Sequence, residues 1–268
     1  MESTTIPAGR PPRWRRLLGP AGAAAVVAAK LGAKLKAALL LLPKLKLLTT
    51  SGSMLVSVAA YALIWGWRFA VGFVLLLLVH ELGHVFQLRR EGIKASAPMF
   101  IPFLGALVAM RDLPKDAAAE ARVGLAGPVL GAAGCLVPLA IWQGGGGELF
   151  QALAFIGFFL NLFNLLPVLP LDGGRAMAAL SPWMWFVGYA GLAVLTFVWP
   201  NPIMLLVLLF GGLETWRRWT TRKSPEALAF HAVAPRTRIA VAVVYLGLAA
   251  LLALGMDATF LDRDLGDV

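Results

Sequence analysis

The chain has 268 residues, 59% of them hydrophobic and only 14% charged, with a mean hydropathy of +0.78. Soluble domains carry about 25% charged residues, so this composition is that of an integral membrane protein. The formal charge of +10 is divided among separate loops, which argues against a nucleic-acid partner, and the single cysteine, Cys135, excludes an intrachain disulfide and a thiolate metal cluster.

From Met1 to about Pro20 the sequence mixes prolines with Arg10, Arg13, Arg15 and Arg16 and shows no apolar period, so residues 1–20 are expected to form a disordered basic cytoplasmic tail. Arg15-Arg16 ahead of Ala21 to Ala29 has some likeness to a signal peptide. Lys30, Lys34, Lys36, Lys44 and Lys46 follow directly, however, and export would leave all five on the wrong side. An amphipathic helix lying on the membrane surface over 21–48 fits better, with anionic lipid as its expected contact.

Seven apolar runs follow: Ser53 to Trp67, Phe69 to Leu88, Ala117 to Trp142, Leu149 to Leu169, Trp183 to Trp199, Pro202 to Leu213 and Ile239 to Met256. Several fall short of the roughly 20 residues that span a bilayer, which calls for broken or tilted helices. Every second loop is basic, which predicts an N-terminus in the cytoplasm, a C-terminus outside and a multi-pass protein of the plasma membrane. Pro98 to Met110 is apolar but interrupted by Pro98, Pro102 and Gly105, and it reads as a re-entrant loop or hairpin. The expected fold is thus an all-α polytopic bundle of six to seven transmembrane helices. Its core covers 51–215, and 216–268 holds a basic loop, a last transmembrane helix and a short acidic tail.

Within the second run stand His80, Glu81 and His84. An ionisable group near mid-span costs about 2.5 to 3.5 kcal/mol on insertion scales, so three in five residues require a use. On a helix His80 and His84 share a face and can grip one metal, while Glu81 is offset to act on a water beside it; this is the logic of H-E-x-x-H. A catalytic zinc site usually has a third protein ligand. Asp172 is the only acidic residue between Phe155 and Trp199, presented after Pro167 and Pro170 and before Gly173-Gly174. It is the expected third ligand, and capping of a short helix near Gly173 is compatible with that role. Asn161 and Asn164 lie one turn apart on the run leading to Asp172. Asn164, nearer the proline break, is assigned to the substrate carbonyl or oxyanion, and Asn161 to hydrogen bonding between helices. Ala126-Gly127-Pro128 with Gly124, Gly131 and Gly134 forms a small-residue face read as helix packing. His231 reads as an interfacial histidine, and Glu214 as the end of a span that pairs locally.

Taken together, His80-Glu81-Leu82-Gly83-His84, Asn161-x-x-Asn164-Leu-Leu-Pro167 and Pro170-Leu171-Asp172-Gly173-Gly174-Arg175 resemble the site-2 protease family of intramembrane zinc metalloproteases. The resemblance covers roughly Met54 to Leu180. It implies one Zn2+ per chain on His80, His84 and Asp172, water activation by Glu81, contact of Asn164 with the scissile region, and a substrate path along Pro98 to Met110. The connection at Gly144 to Gly147 is too short for an inserted PDZ domain, and the C-terminal tail too short for a CBS pair, so a compact member is expected. The implied reaction is hydrolysis of a peptide bond in a single-pass membrane protein near the cytoplasmic face, in regulated intramembrane proteolysis or membrane-protein turnover. A membrane transporter and a catalytically idle protease-like chaperone are the alternatives. Ala, Gly and Arg richness points to a bacterial source.

Overall fold

The computed structural model describes residues 50–198, 200 and 202–261, all within one compact unit, Thr49–Val268. The expected tail, the surface helix over 21–48 and the last seven residues lie outside the described residues. The seven apolar runs correspond to seven helices: α1 (Thr50–Trp65), α2 (Trp67–Arg90), α3 (Ala117–Gln143), α4 (Glu148–Asn164), α6 (Met184–Val198), α7 (Pro202–Thr221) and α9 (Pro235–Ala258). Two short helices, α5 (Asp172–Leu180) and α8 (Pro225–Phe230), and one antiparallel hairpin, β1 (Met99–Ile101) with β2 (Gly105–Leu107), complete the described elements. Three helices, α2, α3 and α9, are long and apolar enough to cross a membrane; α1, α4 and α6 are apolar but shorter.

The bundle turns apolar surface outward. Leu63 is 89% exposed and Phe197 88%, which would be ruinous in water and is ordinary in lipid. Polar groups are drawn inward instead. On α1 the buried residues are Ser53, Ser57 and Tyr61, four apart on one face. Ser53 Oγ accepts a hydrogen bond from the Phe100 amide at 3.1 Å, and Tyr61 Oη from the Phe103 amide at 3.0 Å. Thr50 Oγ1 adds a bond to the Pro98 carbonyl at 2.7 Å. These bonds satisfy part of the hairpin's backbone from α1, which helps a non-helical segment to be tolerated within an apolar bundle. Its register pairs Met99 with Leu107, Phe100 with Ala106 and Ile101 with Gly105.

Two helix boundaries differ from the sequence pattern. The fourth apolar run extends to Leu169, but α4 stops at Asn164, because Pro167 has no N–H and disfavours helical backbone in the residue before it. The sixth apolar run ends at Leu213, whereas α7 continues through Glu214, Arg217 and Arg218 to Thr221, across the expected 215/216 division. Arg218 makes that extension tolerable. Its guanidinium forms a paired bond with Glu120 of α3 at 2.7 and 2.9 Å, reaches Glu214 at 2.9 Å, and lies 5.6 Å from the Trp185 ring. Glu214 also bonds Arg217, so its pairing is local as expected. Since Glu120 is buried, Glu120→Gln should remove roughly 1 to 3 kcal/mol of stability, and thermal unfolding in detergent should show a midpoint lower by several degrees.

The last helix is not peripheral. It packs against α4, α3 and α5, and Tyr245 Oη donates to the Leu165 carbonyl at 2.6 Å. From the other side, Trp185 Nε1 of α6 donates to the Gly174 carbonyl at 2.7 Å. These two bonds fix both ends of the irregular stretch that presents Asp172.

Candidate metal centre

On α2 the buried positions Leu77, His80, His84 and Leu88 recur every three or four residues, with Glu81 buried beside His80, so one stripe carries apolar packing and both histidines inward. Opposite stands α3, and beyond the break after α4 the first turn of α5 brings Asp172. His80 Nε2 and His84 Nε2 lie 3.1 Å apart, and each is 3.1 Å from Asp172 Oδ2. His80 and His84 are 2% and 7% exposed, and Asp172 8%, so water does not separate these atoms.

The outward nitrogens decide what this triangle is. His80 Nδ1 lies 2.8 Å from Asn161 Oδ1, and His84 Nδ1 lies 2.9 Å from the Val123 carbonyl oxygen. A carbonyl only accepts, so each Nδ1 must carry the proton. The Asn161 assignment is consistent, since its amide nitrogen donates to the Gly157 carbonyl at 2.8 Å. With Nδ1 protonated, a neutral imidazole presents a lone pair at Nε2. Two lone pairs and a carboxylate oxygen then face one another in a buried space with no hydrogen between them. Such an arrangement repels itself unless a cation sits among the three atoms. For zinc bound at about 2.0 to 2.1 Å in tetrahedral geometry, donor atoms stand about 3.3 Å apart, close to the separations seen. The donor set, two imidazoles and a carboxylate, fits zinc. Glu81 belongs to the same cluster, with a carboxylate oxygen within 4.8 Å of the histidine nitrogens.

Helix α3 can approach this closely because of its small residues. A Cβ on Gly127 would collide with the His84 ring and come 2.9 Å from His80 Nε2, and one on Gly131 would collide with the Asn161 amide. Gly127, on the small-residue face read as packing, therefore packs against the histidines themselves.

The family model of peptidase family M50 matches residues 68–143 and 139–185, which hold His80, Glu81, His84, Asn161, Asn164 and Asp172. Residues 68–185 are thus similar to peptidase family M50. A zinc metalloprotease of Methanocaldococcus jannaschii is 30% identical over 163 residues, covering 59% of this chain and 46% of that protein. Rip3 of Mycobacterium tuberculosis is 32% identical over 135 residues (46% of this chain, 34% of Rip3), and chloroplastic EGY1 of Arabidopsis thaliana is 27% identical over 190 (53% and 33%). Both carry the zinc metalloprotease designation provisionally in their names. The chain thus spans less than half the length of these curated relatives.

The remaining residues assigned from sequence fall around a cavity of about 550 Å³ that opens onto His80, Glu81, His84 and Asp172. Asn164 lines it, half-buried, as does the hairpin from Phe103 to Val108. Asp172 is the first residue of α5 rather than its cap, and its side chain makes no capping bond, being turned to the histidines. His231 stands apart, its Nδ1 2.9 Å from the Ala178 carbonyl oxygen. Two residues had no site role from sequence. Arg175, one turn after Asp172 on α5, lines the cavity and has no hydrogen-bond partner among the described residues. Asn161 holds the His80 ring in the tautomer that a metal requires. A buried histidine in a span needs a partner for its second nitrogen, and that need was the available signal. Asn161→Leu should weaken zinc binding about 10- to 100-fold in a competition titration with a chelator, with helix content unchanged.

Proposed function

We propose that the chain is an intramembrane zinc metalloprotease that hydrolyses a peptide bond of a single-pass membrane protein near the cytoplasmic side of the plasma membrane. The observation that carries this reading is the buried triangle of His80 Nε2, His84 Nε2 and Asp172 Oδ2 with the Glu81 carboxylate beside it, in a mostly apolar cavity. His80, His84 and Asp172 would hold one zinc ion, which when bound supplies Lewis acidity to a carbonyl and a water. Glu81 takes a proton from the attacking water and returns it to the leaving nitrogen. Asn164, on the cavity wall, donates to the oxygen on which negative charge develops. Asn161 acts through His80 and is a positioning residue.

A helical substrate hides its peptide bonds in its own hydrogen bonds, so it must unwind before cleavage. The hairpin favours that step. β1 is tied to α1 through Thr50 and Ser53, while β2 lies along the cavity, where an extended segment can add to it. The apolar walls, including Phe73, Phe159 and Phe163, suit a substrate from the bilayer. The orientation, with the N-terminus in the cytoplasm, rests on the alternation of basic loops.

The test is a proteomic comparison of cell membranes containing the wild-type chain or Glu81→Gln. Single-pass proteins should accumulate uncut with the variant. Identical membrane proteomes would leave the proteolytic reading without support and favour the transporter or the idle chaperone.

A further inference from the structure

On the side of α2 away from the catalytic cavity, α2, α3 and α9 enclose a second space of about 830 Å³ whose walls are almost wholly apolar. Val85 and Phe86, Val129 and Leu130, and Val241 and Val244 represent the three helices there. Only one end is polar, with Gln87, Arg89, Arg122 and Thr237. Arg122 is committed to Glu91 by two bonds at 2.6 and 3.0 Å, and Gln87 bonds the same carboxylate at 2.8 Å. Arg89 and the Thr237 hydroxyl have no hydrogen-bond partner among the described residues. The groove therefore presents one uncompensated cation and one free hydroxyl at the mouth of an apolar trough.

We infer that this groove binds one anionic glycerophospholipid, its acyl chain lying between α2, α3 and α9 and its phosphate at Arg89 and Thr237. Two features select this occupant. The lining runs over residues 82–89 of α2, 122–130 of α3 and 237–244 of α9, which at 1.5 Å per helical residue is about 10 to 12 Å. A single leaflet's hydrocarbon is about 15 Å deep, so the trough runs from the basic edge toward the bilayer middle and ends there, as one lipid tail does. A transmembrane helix of a partner would need a face twice that length. The charge is also placed where a phosphate sits, at the end of the tail, and Arg236 and Arg238 flank Thr237 in the sequence.

The site has a consequence for the metal centre. The groove's floor is the contact between Gly83 and Ala126, where a Cβ on Gly83 would collide with the Ala126 carbonyl. Gly83 lies between Glu81 and His84, so the tail braces from outside the helix pair that aligns the histidines.

The experiment is native mass spectrometry of the full chain released from nanodiscs of equal parts phosphatidylcholine and phosphatidylglycerol. Wild-type chain should retain one phosphatidylglycerol in preference to phosphatidylcholine. Arg89→Gln should lower that preference about fivefold, and Ala240→Trp, at an exposed position on the groove wall, should abolish retention of either lipid there. Equal retention of the two lipids by wild-type chain, or wild-type retention by Ala240→Trp, would overturn the proposal. So would a wild-type dimer that Ala240→Trp separates, which would place a second copy in the groove.

Discussion

Replacement of Glu81 by glutamine is expected to leave about one zinc per chain and to slow cleavage by at least about 10²- to 10⁴-fold. The three atoms that face one another at 3.1 Å come from His80, His84 and Asp172, and Glu81 is not among them. Its amide replacement has the same shape and fills the same buried space, so the helix and the triangle should persist. What is lost is a group able to take a proton. Zinc content by mass spectrometry of the elements and the cleavage rate of a single-pass substrate in vesicles give the two readouts. Proteolysis at the wild-type rate would remove Glu81 from the mechanism, whereas joint loss of zinc and cleavage would make it a ligand.

Gly127→Ala is expected to reduce zinc affinity by tenfold or more although no ligand is altered. The added methyl would occupy space now filled by the His84 ring and would crowd His80 Nε2, so one ring must turn or α3 must retreat. Alanine is otherwise the better helix former by about 0.8 to 1 kcal/mol. A loss therefore reports the collision, not propensity. Gly247→Ala on α9 is the control, since a Cβ there meets nothing within 4 Å. It should keep both zinc and stability. If Gly127→Ala binds zinc as wild type does, the α2–α3 contact is looser than its geometry implies.

The apolar runs made the helices legible, because a span must satisfy its backbone within itself and so announces its length in consecutive apolar residues. Their ends were less legible. Pro167 stopped α4 visibly, but the continuation of α7 past Leu213 depends on Glu120, nearly a hundred residues earlier, which gives Arg218 a partner. The hairpin was legible from Pro98, Pro102 and Gly105, while its anchoring by Ser53 and Tyr61 depends on which face of α1 turns inward. At the metal centre, H-E-x-x-H spacing is a local property of one helix and could be read directly. The choice between Asn161 and Asn164 could not, because one turn separates them and only the rotation of α4 decides which amide meets His80. Gly127 was recognisable as a packing residue but not as the histidines' neighbour, since periodicity shows that a face is small without showing what lies against it.

The proposed hydrolysis depends on one zinc ion held by His80, His84 and Asp172. Zinc bound per chain is to be measured on the purified full chain alongside His80→Ala, His84→Ala and Asp172→Ala. The expected result is about one zinc in the wild-type chain and a small fraction of that in each variant. A wild-type chain that binds no zinc, or Asp172→Ala that holds as much as wild type, would contradict it.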